Sequence, residues 1–62
     1  MKTAYQVNFT YVIAQEFART WYFATERDFR IWILGNEHNY IIQSKQWADL
    51  PEWAEAMTYS LQ

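Results

Sequence analysis

The most regular pattern in the chain lies at residues 5–13. Tyr5, Val7, Phe9, Tyr11 and Ile13 alternate with Gln6, Asn8, Thr10 and Val12. A period of two sends successive side chains to opposite faces, and β-branched and aromatic residues suit a pleated surface. The pattern predicts a strand with one apolar face. Ala14, Gln15 and Glu16 interrupt it. Residues 19–24 then predict a second strand, with Trp21 and Phe23 on one face and Thr20 and Tyr22 on the other. A helix competes here, because Ala14, Phe17, Ala18 and Trp21 fall at i, i+3, i+4 and i+7. That helix would expose Tyr22 and Phe23 side by side, so the strand is preferred.

The next decision concerns "TERDFRIWILGN". A tight hairpin after the second strand would ask for Gly, Asn or Asp-Gly, and "TERD" supplies none of these. It does supply a helix start. Thr25 can act as N-cap, Asp28 stands three residues on as in a capping box, and Glu26 and Asp28 complement the helix dipole. Phe29, Trp32 and Ile33 share one helical face. Gly35 stands where a left-handed residue often ends a helix, and Asn36 tolerates the same region. The β propensity of "FRIWIL" opposes this, but start and stop signals agree with each other. The sequence therefore predicts a helix from about Glu26 to Leu34.

A polar loop, "GNEHN", leads to a short third strand at "YIIQS". The segment "ADLPEWAEAMTYSLQ" predicts a second helix. Pro51 suits a first helical turn, Asp49, Glu52 and Glu55 favour that end, and Leu50, Trp53, Ala54, Met57 and Leu61 form one stripe. The expected architecture is a single α+β domain over residues 1–62, ββαβα, with a three-stranded antiparallel sheet and two helices. The alternative is a four-stranded antiparallel meander followed by the C-terminal helix.

Composition narrows the functional classes. A 62-residue chain buries only roughly 60% of its unfolded surface, and with no cysteine it has neither disulfide nor thiolate metal site. Aromatic mass has to compensate, through four Trp, five Tyr and four Phe. These exceed what so small a core can hide. Together with the edges of an open sheet, they lead us to expect a homodimer. A formal charge of −2 lacks the clustered cations that sequence-independent nucleic-acid binding needs. "MKTAYQVNF" has no apolar run of signal-peptide type and "IWIL" is too short to span a bilayer, so a cytoplasmic protein with no membrane association is expected.

Catalytic chemistry finds little footing. His38 has only Glu37 beside it, so it lacks both an oriented partner and a metal-ligand set. The acidic residues are explained as helix-start charges, no serine sits in a Gly-flanked elbow, and the lone glycine, Gly35, cannot make a phosphate loop. No enzyme activity, no metal and no cofactor are expected. Arg19, Arg27 and Arg30 lie near Trp21, Tyr22 and Phe23, and single-strand binders combine such groups. Glu26 and Asp28 offset that basic charge, so nucleic acid is the second choice. Asp49, Glu52 and Glu55 with Glu37 could form a negative edge that steers a basic partner.

What remains is a small protein–protein interaction module, an inhibitor or adaptor that occludes a larger partner. Small inhibitors encoded by phages or mobile elements, in the style of anti-CRISPR proteins, offer an analogy of size and composition alone. Strand parity puts Tyr22 on the polar face, where an exposed tyrosine makes a good anchor. The expected partner site is Tyr22 flanked by Arg19 and Thr20, with Glu37 and His38 contributing more weakly from the nearby loop.

Overall fold

The computed structural model describes residues 2–58. Its elements are β1 (Thr3–Tyr11), β2 (Ala14–Phe23), α1 (Glu26–Leu34) and β3 (Tyr40–Asp49). The strands form one antiparallel sheet in the order β2-β1-β3. With α1 on one face and no helix among the described residues on the other, the molecule is a slab measuring 34 × 30 × 17 Å.

β1 is the central strand, and the alternation of its sequence is realised. Val7 and Phe9 are fully buried, and Tyr5, Phe23, Phe29 and Trp32 join them in the core. Phe9 sits between strands and helix, with ring centroids 5.0 Å from Tyr40, 5.4 Å from Trp32, 5.6 Å from Trp21 and 5.8 Å from Tyr11. Tilted and edge-on pairs of this kind add about 0.5–1.5 kcal/mol each beyond area burial. They supply what a core of this size lacks in volume.

The helix begins as the sequence predicts. Thr25 is extended at φ −140° and ψ 165°, and its hydroxyl accepts from the Asp28 amide at 3.2 Å while donating to the Asp28 carboxylate at 2.6 Å. It ends differently. Gly35 lies at φ −93° and ψ −3°, in the right-handed region, so no left-handed residue closes the helix. Asn36 closes it instead. Its side-chain amide donates to the Trp32 carbonyl at 2.7 Å and its backbone N–H donates to the Ile33 carbonyl at 3.0 Å.

α1 lies along the sheet. Phe29, in its first half, meets Tyr5 and Phe23, while Trp32, a turn later, meets Phe9 and Tyr40. This gives the sheet two distinct ends. The proximal end is where Tyr5 registers with Phe23 and Trp47, and the distal end is where Tyr11 registers with Ala14 and Tyr40.

Two expectations are corrected. The third strand does not stop at Ser44 but continues to Asp49. The backbone groups of a central strand need partners along its whole length, and β3 supplies them to β1 from Tyr11 back to Thr3. A register shift between Asn8 and Phe9 leaves Gln43 extra, so the strand's alternation is reset midway. The second helix is not formed within the described residues. The chain instead makes one turn, with the Ala54 N–H donating to the Pro51 carbonyl at 3.1 Å, and then runs extended. Met57 bridges Phe23 in parallel: its N–H donates to the Tyr22 carbonyl at 2.8 Å, and the Ala24 N–H donates to the Met57 carbonyl at 2.9 Å. A short helix needs an apolar surface to pack on. α1 already covers the apolar face of the sheet, whereas the edge of β2 offers unpaired backbone groups. Leu61, the last residue of the expected stripe, lies outside the described residues.

Candidate interaction surface

The open face of the sheet is built from uncharged polar side chains in two hydrogen-bonded rows. In the proximal row the Gln46 amide donates to the Gln6 carbonyl oxygen at 3.1 Å, and the Gln6 amide donates to the Tyr22 hydroxyl at 3.2 Å. In the next row the Thr20 hydroxyl donates to the Asn8 carbonyl oxygen at 2.6 Å, and the Asn8 amide donates to the Ser44 hydroxyl at 2.8 Å. Every pair is directly opposed across the strands. The donor direction runs from β3 to β2 in one row and from β2 to β3 in the other.

The residues expected to form a partner site are divided by this geometry. Tyr22 and Thr20 share the open face, as parity predicts. Tyr22, however, is only 9% exposed, with Trp53 edge-on at 6.4 Å. The expectation of an open tyrosine ring is therefore corrected: Tyr22 is buried, with Trp53, far along the chain, beside it and itself 82% exposed. Arg19 lies on the opposite face, opposed to Phe9, with its guanidinium 5.9 Å from the Tyr11 ring centroid. Glu37 and His38 belong to the loop before Tyr40, at the distal end. The register separates them from Tyr22 by five positions of β1, about 17 Å at strand rise. The basic and aromatic groups considered for single-strand binding are divided in the same way, and Arg30 is paired with Glu26 at 2.9 Å.

The distal end presents a different surface. β1 and β2 are joined by Val12 and Ile13 alone. Turns of two residues ordinarily hold Gly, Asn or Asp at positive φ, and no described residue here has positive φ. The connection is held from outside, by the Val12 N–H donating to the Asn39 carbonyl at 3.0 Å and the Gln15 amide donating to the Val12 carbonyl at 3.2 Å. The register then jumps from the Tyr11–Ala14 pair to the Thr10–Ala18 pair, so residues 15–17 arch out of the ladder. As a result Ile13 is 96% exposed, Phe17 58% and Val12 42%. Leu34, at the distal end of α1, is 65% exposed, and Ile41, opposed to Thr10, is 41% exposed. Beside the turn lies a shallow hollow of about 290 Å³, lined by Tyr11, Val12, Ile13, His38, Asn39 and Tyr40.

Nothing in the strand pattern isolates these residues, because Val12 and Ile13 continue the alternation of β1 through the turn. The one signal in the sequence is the absence of turn chemistry between two strand-like runs. Among the described residues, no three His, Asp or Glu side chains come together as a metal-ligand set. No helix among them is long and apolar enough to cross a membrane. The chain matches no family model, no curated protein and no solved structure.

Proposed function

We propose that this chain is a non-catalytic protein-binding module that places its apolar distal end in a cleft of a larger protein, acting as an inhibitor or adaptor by occlusion. The observation that carries this reading is Ile13. An isoleucine at 96% exposure occupies a turn position where a small polar residue would serve the fold equally well. Fully burying such a side chain is worth about 1.5–3 kcal/mol, which the chain forgoes alone and gains in a partner's pocket. Phe17 and Val12 beside it offer further apolar contact, and Glu16 and Arg19 supply both signs of charge for a polar rim.

The test is capture from a lysate of the source organism on immobilised protein, comparing the parent with Ile13→Asp. The expected result is a partner held by the parent and lost by the variant, with the two circular-dichroism melting curves superimposable. Equal capture by a folded variant would remove the distal end from the binding surface.

A further inference from the structure

We propose that a second copy of this chain covers the distal end, in a two-fold dimer in which Ile13 of each protomer seats in the hollow beside Tyr11 and Tyr40 of its partner. This rests on the reading of the distal end as a contact surface and adds what occupies it when no foreign protein is bound. The dimer stores the apolar end in a masked form, and a larger partner has to compete with the second copy for it.

Three observations lead there. The first is self-complementarity. A two-fold contact requires one patch to hold both a projection and its recess, because residue i of one copy meets residue j of the other and the reverse. Here the projection, Ile13, and the hollow of about 290 Å³ adjoin, and Ile13 itself forms part of the rim. The second is area. The exposed fractions of Val12, Ile13, Phe17, Leu34 and Ile41 add up to about three whole residues, on the order of 500 Å² of mostly apolar surface. A standard stable interface buries about 800 Å² per partner. The apolar end offers at most a little more than half of that, with Ile41 on the open face and Leu34 on the helix side flanking the turn, and the loop at His38 and Asn39 with the arch at residues 15–17 lies around it to supply the remainder. The third is charge. Glu16, in the arch, and Glu37, in the loop before Tyr40, share this end with Arg19, whose guanidinium lies over Tyr11, so the end carries both signs of charge and needs no counter-charged partner.

Sedimentation velocity across a dilution series tests the inference, with the parent, Ile13→Asp and the turn replacement Val12→Asn/Ile13→Gly. The replacement restores ordinary hairpin-turn residues, so it reports on the contact even where the aspartate impairs folding. The expected result is a parent that passes from monomer to dimer with concentration. Both variants should dimerise at least about a hundredfold more weakly, since two isoleucines per dimer lose their burial. A dimer that persists in both variants overturns the inference by placing the contact elsewhere. A parent that stays monomeric at every concentration overturns it too. Ile13-dependent capture of a foreign protein would then leave the proposed function standing, whereas Ile13-dependent flotation with phosphatidylcholine vesicles would replace both readings with a bilayer surface.

Discussion

The two ends of the sheet use the same three strands and reach opposite outcomes. At the proximal end Tyr5, Phe23 and Phe29 pack ring against ring, Trp53 stands edge-on to Tyr22 while itself 82% exposed, and Met57 clips the edge of β2 with two backbone hydrogen bonds. At the distal end β2 leaves the ladder, its turn is made of two aliphatic residues, and no segment among the described residues folds over them. β2 alone shows the contrast, passing from exposed side chains at residues 15–20 to buried ones at Tyr22 and Phe23. Apolar residues are abundant at both ends. What differs is how the exposed ones are placed: at the proximal end Trp53 and Trp47, 82% and 55% exposed, lie edge-on against Tyr22 and Tyr5, whereas at the distal end Ile13 projects from the turn at 96% exposure.

The largest effect that could break this comparison is at Phe23. Phe23→Ala removes a fully buried ring that meets Trp21, Phe29 and Trp32. Its expected cost is about 3–5 kcal/mol, read as a lower urea midpoint. Ile13 should show no comparable sensitivity in the same assay when monomeric, so equal losses at both sites would mean that the distal end is core after all. The two helix termini repeat the contrast on a smaller scale. Thr25→Ala at the proximal end removes a side-chain cap and should cost about 1 kcal/mol. At the distal end, Gly35→Ala should instead stabilise by about 0.4–1 kcal/mol, because Gly35 has right-handed φ and a methyl group there meets no atom within 4 Å. A loss of stability at Gly35 would restore the left-handed helix end and contradict the backbone described here.

Much of this was legible in the residues, and where it was not, the reason is physical. The face of β1 and the start of α1 could be read because each depends on neighbours in sequence: alternation for one, Thr25 with Asp28 for the other. The second half of β3 could not. Gln43 bulges out and resets the period, so Lys45 and Trp47 look out of phase with Tyr40 and Ile42, although all four share the helix-side face. The C-terminal stripe misled for a different reason. Its helical spacing is real, but α1 had already taken the apolar face that a second helix would have needed. At the candidate site, parity placed Tyr22 correctly on the open face. Its burial accompanies contacts far apart in sequence, with Trp53, Met57 and Gln6, that no local pattern encodes. The apolar turn stayed hidden because Val12 and Ile13 satisfy the strand rule while violating the turn rule.

The two polar rows have a consequence best put in terms of error detection. Apolar alternation works as a parity check on strand pairing: a slip of one residue turns the core face outward and is rejected at once. A slip of two residues passes that check, because every side chain keeps its face. In the rows, Gln6 is matched to Tyr22 and Gln46, and Asn8 to Thr20 and Ser44. Slipping by two would set a long amide against the short hydroxyl of the neighbouring row and leave donors and acceptors mismatched in length on both sides of β1. The uncharged face therefore works as a second check digit, and it catches the even-numbered slips that the hydrophobic code cannot see.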